Sequence, residues 1–311
     1  LYGPGYQAGI WDWLTKNKDE IDFAYLNRPH IAIKYIDFIK KNTNIKVIYY
    51  GHDLHFLREY REYELTGDIQ KKRESDYWKS IEFSLMEKAA VSYYPSYVEE
   101  EAIHAIHPEY KIRAITAYVY EKFLENIDKD FEKREGLLFV GGFAHPPNAD
   151  AVLWFAKEIF PLIRQKLDVN FYVVGSKVTD EIKALEQPGS GIIVKGFVTE
   201  EELASLYATS RIVVVPLRYG AGVKGKVVEA VYNGSAIVTT SIGSEGIPEA
   251  ERVMKVADGP EAFADEVVKM YQDPAECRRM CEETQKYIRE YFSVEAAWKV
   301  IEGDFTPEKK R

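Results

Sequence analysis

Cysteine is scarce in this sequence. The 311 residues include only two cysteines, Cys277 and Cys281, which is too few for the disulfide framework of a small secreted domain. They lie four residues apart in a segment predicted to be helical, and no histidine lies nearby to complete a metal site. We therefore expect both cysteines to pack in a helix interface.

Long apolar runs and an excess of positive charge are also missing. No stretch approaches the roughly 20 apolar residues that cross a bilayer. The net charge of −9 argues against a nucleic-acid-binding protein, because binding to phosphates requires a basic surface. The composition favours a cytoplasmic enzyme or binding protein, and the length is enough for about two domains. The chain begins at Leu1 rather than at a methionine, so we expect it to be a fragment of a longer chain.

Residues 211–246 carry the clearest pattern. Arg211–Pro216 is a β-branched apolar run, typical of a strand buried in a parallel sheet. A loop with Gly220 and Gly222 follows, and then an amphipathic helix from about residue 223 to residue 232. Asn233 and Gly234 predict a left-handed end for this helix, and the next buried strand begins at residue 236.

Two lysines, Lys224 and Lys226, lie in the predicted first turn of this helix. Lysine is unfavourable there, because the helix dipole places partial positive charge at the N-terminus. The arrangement becomes favourable when an anion binds between the ammonium groups and the free backbone N–H groups. Two solvated lysines on a surface loop are the alternative interpretation.

Strands and helices alternate regularly from residue 137 onward. This alternation predicts a parallel, doubly wound sheet with right-handed crossovers. Thr199 and Glu202 have the spacing of a capping box at one helix start. The predicted strands are Leu137–Val140, Asn170–Val174, Ile192–Lys195, Ile212–Pro216, Ala236–Thr239 and Val253–Val256.

The first half contains a second candidate sheet. His52 and Asp53 follow the predicted strand Ile45–Tyr50 through Gly51, which places both side chains at the carboxyl edge, where ligands of open α/β sheets bind. His52 could instead cap the next helix or bond to the backbone, and Asp53 could be an N-cap rather than a base. Further predicted elements are the strands Asp22–Asn27, Val91–Tyr94 and Lys111–Ile115 and a helix from Arg28 to about Lys41.

Residues 121–135 are charged and poorly periodic, and we expect a linker there. The predicted domains are therefore residues 1–120 and 136–290, with a C-terminal helix and tail over 291–311. Asp128 and Asp130 have the spacing of a metal-binding motif, but in a linker we expect them to be solvated. We assign no role to His104 or His107 and expect no bound metal.

One basic cluster interrupts the first half. Lys71, Lys72 and Arg73 follow one another in a helical stretch. The simpler interpretation is a solvated helix face. The more specific interpretation is that the cluster contacts an acidic acceptor or a membrane surface.

The second half resembles the nucleotide-sugar domain of GT-B glycosyltransferases, specifically the retaining group 1 enzymes of family four. The resemblance runs from about Leu137 to Ile247 and is carried by LLFVGGFAHPPNADAVLWF and VKGFVTEEELASLYATSRIVVVPLRYGAGVKGKVVEAVYNGSAIVTTSIGSEGI. In the first half, KVIYYGHDLHFLREYREYE resembles the strand and His-Asp loop of the acceptor domain. The resemblance implies an α/β protein of two Rossmann-like, doubly wound domains. It also implies that the first domain is incomplete and that the C-terminal helices pack back toward it.

The resemblance also implies a function. A sugar would pass, with retention and without a metal or cofactor, from a nucleoside-diphosphate sugar in the inter-domain cleft to an unknown sugar, lipid-linked or protein acceptor. His52 matches the histidine near the transferred sugar, and we assign it to catalysis together with Lys224. The matching donor-binding residues are Gly142, His145 and Asn148 facing the diphosphate, Gly196, Phe197 and Val198 bordering the base, Gly222, Val223, Lys224 and Gly225 in the phosphate loop with Lys226 in support, and Glu229 at the ribose hydroxyls.

The donor loop departs from the family in one place. Many relatives carry a second glutamate upstream of the residue that matches Glu229, and this sequence has Ala221 and its neighbours there. Phosphate neutralisation then depends on Lys224 and Lys226. The missing carboxylate also argues against a sugar epimerase, and no lysine has the context of a pyridoxal-phosphate phosphorylase.

Two alternatives remain open. Glu229 could simply form an ion pair with Lys224 or Lys226 on the helix surface. The chain could also be a non-catalytic fragment of a larger glycosyltransferase that binds a nucleotide or a protein without turnover.

Overall fold

The computed structural model describes residues 9–305. The chain divides into two compact units, of which the first comprises Leu1–Ala117 with Ala297–Arg311 and the second Tyr118–Ala296. Each unit contains its own parallel sheet. The predicted C-terminal tail beyond residue 305 lies outside the described residues.

The first unit is built on a four-stranded sheet. Neighbouring strands are consecutive in the chain and all pair in parallel, in the order β1-β2-β3-β4. Strands β2 and β3 are almost entirely buried, as their apolar sequences predict. The strands are β1 Phe23–Asn27, β2 Lys46–Tyr50, β3 Val91–Tyr94 and β4 Ile112–Ala114.

The helices of the first unit differ from prediction at one place. The single helix expected from Arg28 to Lys41 is wrong, because the chain forms two helices with a turn between them. Arg28 has a positive φ of 66° and precedes a proline, so the first helix begins abruptly after it. The helices are Ile10–Asn17, Pro29–Ala32, Ile36–Asn42, His55–Thr66, Ile69–Lys88 and Tyr97–His104, with a 3₁₀ turn at Lys18–Glu20.

The second unit is built on a six-stranded parallel sheet. The strand order is β10-β9-β8-β5-β6-β7, so the chain moves outward from β5 in one direction and later returns to continue on its other side. Predicted and observed strands agree closely, except that the predicted strand Val253–Val256 shortens to two residues. The strands are β5 Leu137–Val140, β6 Phe171–Val174, β7 Ile192–Gly196, β8 Ile212–Val215, β9 Ala236–Thr239 and β10 Lys255–Val256.

Helices cover this sheet and complete the larger of the cores. The predicted capping box of Thr199 and Glu202 is present, and Gly234 has the predicted left-handed conformation with a φ of 70°. The π-helical turn Phe155–Ile159 and the 3₁₀ turn Ala250–Arg252 are shorter elements. The helices are Pro146–Trp154, Phe160–Arg164, Asp180–Lys183, Glu200–Thr209, Gly225–Tyr232, Ser241–Ser244, Pro260–Tyr271, Pro274–Tyr291 and Val294–Ile301, the last of which contains the boundary at Ala297.

Side-chain contacts fix the C-terminal residues in the first unit and residues 121–135 in the second unit. Asp304 accepts hydrogen bonds from Tyr93 Oη at 2.6 Å and Lys111 Nζ at 2.6 Å, so the C-terminal residues pack in the first unit as predicted. Residues 121–135, where a linker was expected, pack in the second unit. Phe131 is fully buried there, and the Arg134 guanidinium lies 4.0 Å from the centre of its ring.

Candidate functional site

The topology of the second sheet fixes where a ligand can bind. Strands β5 and β8 are neighbours, but the chain leaves them toward opposite sides of the sheet. The loops that follow these two strands therefore diverge, and open α/β sheets bind ligands in the crevice at such a switch point. A pocket of about 200 Å³ lies there, lined by residues of both loops and by Tyr118.

The loop after β5 supplies a buried amide. Asn148, in the first turn of helix Pro146–Trp154, is 5% exposed. Its Nδ2 donates to the carbonyl of Gly142 at 2.7 Å, and its Oδ1 accepts from Lys226 Nζ at 2.6 Å. A Cβ on Gly141 would lie 3.0 Å from Asn148 Nδ2 and 3.1 Å from Lys226 Cε, so a larger residue there would press on both side chains. This loop is therefore shaped around the lysine of the other loop.

The loop after β8 supplies a buried ammonium. Lys224 is 8% exposed and is the residue that precedes the helix, which begins at Gly225. Its Nζ donates to the carbonyl of Gly222 at 2.5 Å and lies 3.2 Å from Glu245 Oε2. Gly222 takes a φ of 74°, a conformation that favours glycine.

The start of the helix is closely covered. A Cβ on Gly225 would lie 2.6 Å from the Tyr118 ring, so only glycine allows this tyrosine to pack against the helix N-terminus. His145 is exposed beside it and lines the same pocket. The free N–H groups of the helix and two lysines thus face one crevice, which is the environment that binds anions.

Lys226 is chemically different from Lys224. Burial, together with the nearby charge of Lys224, lowers the pKa of Lys226 to about 8, although Glu229 acts in the opposite direction. Both lysines line the pocket, as do His145, Asn148, Val223 and Gly225. The alternative of two solvated surface lysines is therefore wrong.

Glu229 lies one turn further along the same helix. Burial raises the pKa of its carboxyl group. Within residues 9–305 it makes no ion pair with Lys224 or Lys226, since these lysines bind Glu245 and Asn148 instead. Glu229 is not part of the pocket lining, so a ligand would have to extend beyond the pocket to reach it.

The predicted base-binding turn lies at the same edge of the sheet. Gly196 ends β7 with a φ of 69°, and its carbonyl accepts from Gly175 N at 2.8 Å. Phe197 follows with 81% of its surface exposed. An apolar ring this exposed at a carboxyl edge is available for stacking on a ligand. Val198 is half-buried and packs on the core.

His52 lies in the first unit, after β2. It takes a φ of 70°, and its Nε2 lies 2.5 Å from Asn27 Oδ1 at the end of β1. Burial and the charge of Arg28 lower its pKa, which favours the neutral ring. His52 and Asn27 line a pocket of about 330 Å³ together with Tyr25, Tyr50 and Tyr93. The alternative interpretation, in which His52 caps the next helix, is wrong, because Leu54 occupies the N-cap position.

A neighbouring charged cluster was not predicted. Glu82 is fully buried, and its carboxylate accepts from the backbone N–H groups of His55 at 3.0 Å and Phe56 at 3.2 Å. Asp53 is not an N-cap, since it pairs with Arg58 at 2.5 Å and with His55 at 3.2 Å. No local pattern predicts the role of Glu82, because this residue lies 27 positions from His55 in the chain.

The side chains outside these pockets follow simpler patterns. Lys71 pairs with Glu59, Glu62 and Glu74, so the basic cluster is partly neutralised. Both cysteines are free and buried in helix Pro274–Tyr291, as predicted. Within residues 9–305, no group of three potential metal ligands lies close together, and none of the helices combines the length and apolar character needed to cross a membrane.

Comparison with known proteins gives a family match within the second unit. Residues 134–273 match the family described as "Glycosyl transferases group 1". A curated relative, an "Uncharacterized 44.6 kDa protein in cps region" of Klebsiella pneumoniae, is 32% identical over 116 residues. This match covers 35% of the present chain and 30% of the relative, so the chain spans about 30% of that protein's length.

Solved structures share the whole fold at low sequence identity. Sucrose-phosphate synthase from Thermosynechococcus elongatus superposes with a TM-score of 0.73 at 16% identity, over 98% of this chain and 80% of that chain. Anabaena HepE in complex with UDP and glucose gives 0.68 at 14% identity, over 97% and 83%. A mutant of S. aureus TarM in complex with UDP and two further ligands gives 0.69 at 13% identity, over 94% and 57%. The predicted GT-B fold is therefore confirmed.

Proposed function

We infer that the protein is a glycosyltransferase that uses a nucleoside-diphosphate sugar, because its second unit carries a group 1 glycosyl transferase domain within a GT-B fold. The observation that carries the proposal is the pocket at the switch point between β5 and β8, where Lys224 and Lys226 converge on the N-terminus of one helix. Such a pocket matches a diphosphate, which has two adjacent negative groups.

The donor is proposed to lie along the carboxyl edge of the second sheet. Lys224, Lys226 and the helix N-terminus bind the diphosphate, with the Gly142–Asn148 loop on its other side. Glu229 accepts hydrogen bonds from the ribose hydroxyls, since an ionised carboxylate accepts strong bonds from such donors. The exposed ring of Phe197 stacks on the base. UDP is the first nucleotide to test, because HepE and TarM have been solved with it.

The proposed chemistry depends on stabilising the leaving group, which is the nucleoside diphosphate. As the bond from sugar to phosphate breaks, negative charge develops on the diphosphate, and ammonium groups already in place stabilise it. We propose that transfer proceeds with retention and without a metal, and that the neutral ring of His52 contacts the transferred sugar. The acceptor is a sugar, a lipid-linked sugar or a protein.

Calorimetry with a panel of nucleoside diphosphates tests the donor site. We expect UDP to bind, and Lys224→Ala to weaken it by about 10- to 100-fold, the loss of one charged hydrogen bond. Lys183→Ala is the matched control, because Lys183 pairs with Asp180 on the surface. Absence of binding by any nucleotide would refute the proposal, as would equal binding by the Lys224 variant.

The role of Glu229 has its own readout. UDP should bind the native protein more tightly than 2′-deoxy-UDP, and Glu229→Ala should remove most of that preference by weakening UDP alone. If Glu229→Ala lowers the affinity for UDP and for 2′-deoxy-UDP equally, Glu229 does not bind the ribose.

Two further measurements test the chemistry. Transfer should persist in EDTA, and the anomeric configuration of the product, read by NMR, should match that of the donor. UDP binding without any donor hydrolysis or transfer would favour the alternative, a nucleotide-binding fragment without turnover.

A further inference from the structure

A carboxylate lies directly behind the donor pocket. Glu245 directly follows the short helix Ser241–Ser244, which comes after β9, and its Oε2 is 3.2 Å from Lys224 Nζ. The two side chains are 12% and 7% exposed, respectively. Lys224 lines the pocket and Glu245 does not, so Glu245 acts on a pocket ligand through Lys224.

This ion pair limits the positive charge that the pocket offers. The carboxylate of Glu245 offsets the charge of Lys224 at short range, where a partly buried site screens little. The other lysine, Lys226, is bound to the neutral amide of Asn148. A nucleoside diphosphate is a multiply charged anion, and it therefore meets less attraction than two isolated lysines would provide.

A modest attraction has a use in a transferase. The same phosphates are bound before and after the sugar leaves, and the nucleoside diphosphate product carries more negative charge than the donor. A site that binds the product too tightly is slow to release it, and product release limits the turnover of many enzymes.

We propose that Glu245 is a positioning residue that acts through Lys224: by offsetting the charge of this lysine, it speeds release of the nucleoside diphosphate. This inference rests on the proposed function, because it requires that the phosphates bind at Lys224.

The test uses Glu245→Gln in the full chain, with UDP and uridine as probes. Glutamine keeps the size and one hydrogen-bond acceptor but removes the charge. We expect UDP to bind about tenfold more tightly, with a correspondingly slower dissociation measured by surface plasmon resonance. Uridine has no phosphate, so its affinity should not change. Glu245→Asp keeps the charge and should bind UDP as the native protein does.

The control is Glu132→Gln, which removes a carboxylate from an exposed ion pair with Arg278 and should leave both affinities unchanged. If Glu245→Gln does not fold, Glu245→Ser carries the same expectation. Weaker or unchanged UDP binding by the neutral variant would overturn the inference, as would an equal gain for uridine. Failure of the native protein to bind any nucleoside diphosphate would instead refute the proposed function.

Discussion

At the scale of single residues, Lys226 is a side chain whose charge changes near pH 8. Burial and the charge of Lys224 hold its pKa at about 8, whereas an exposed lysine titrates near 10.4. Below about pH 8 the side chain is an ammonium that can bind a phosphate. Above that pH it becomes a neutral amine and loses the attraction.

This titration predicts a pH dependence of nucleotide binding. The affinity for UDP should fall as the pH rises through 8, by up to about tenfold per pH unit, because the anion binds the protonated lysine. The terminal phosphate of UDP, with a pKa of about 6, does not titrate in this range. Calorimetry between pH 7 and 9.5 measures the affinity. Buffers of different ionisation enthalpy should also reveal uptake of a proton on binding near pH 8.

Variants separate Lys226 from other groups. Lys226→Arg keeps its charge and should flatten the profile between pH 7 and 9.5, while Lys183→Met, at an exposed ion pair, should leave the native profile intact. A native affinity that is constant over this range would contradict the assignment.

At the scale of elements, Glu82 joins two helices of the first unit. It projects from helix Ile69–Lys88 and accepts from the first N–H groups of helix His55–Thr66. The latter helix has no side-chain cap of its own, because Leu54 occupies that position. A carboxylate from the neighbouring helix thus satisfies donors that would otherwise be buried without partners.

Removing this carboxylate should destabilise the protein. We expect Glu82→Ala to lower the free energy of unfolding by about 3 kcal/mol, as measured by urea denaturation. The variant loses both backbone bonds and the ion pair of the Glu82 carboxylate with His55 Nδ1 at 3.1 Å. Glu87→Ala is the matched control, since Glu87 is exposed on the same helix and should change stability by less than about 0.5 kcal/mol. Similar losses for both variants would show that Glu82 does not stabilise the fold in this way.

Prediction from the sequence succeeded where the pattern is local. The buried strands of the second sheet and the capping box at Thr199 depend on residues close together in the chain, and both were predicted. The turn between helices Pro29–Ala32 and Ile36–Asn42 was not predicted, and neither were the bonds of Glu82. The turn interrupts a stretch with a continuous helical pattern, and the bonds of Glu82 include one to a residue 27 positions away.

At the scale of the whole molecule, the candidate donor site depends on the order of strands in one sheet. The switch between β5 and β8 brings Asn148 and Lys226 to 2.6 Å, although 78 residues separate them. The sequence predicted that both lie at this edge, because both follow strands of an alternating pattern. It did not predict the ion pair of Lys224 with Glu245, which follows a third strand in the chain. It also did not predict the packing of Tyr118 on Gly225.

Hydrogen exchange can map this edge in the full chain. Saturating UDP should slow exchange of backbone amides in residues 141–148 and 217–226, because the ligand covers their loops. Residues 186–192, which lead into the opposite end of β7, should exchange as in the free protein. Protection at residues 186–192 rather than in the two loops would place the nucleotide elsewhere.

The two buried thiols give the second unit a reporter of its own. Burial raises the pKa of Cys277 to about 12 and raises that of Cys281 as well, so neither reacts readily with an alkylating reagent while helix Pro274–Tyr291 stays packed. The sequence has no other cysteine, and the first unit therefore remains silent. Alkylation of the native protein can be followed by mass spectrometry with and without a nucleotide. The rate of alkylation then measures how often the second unit opens.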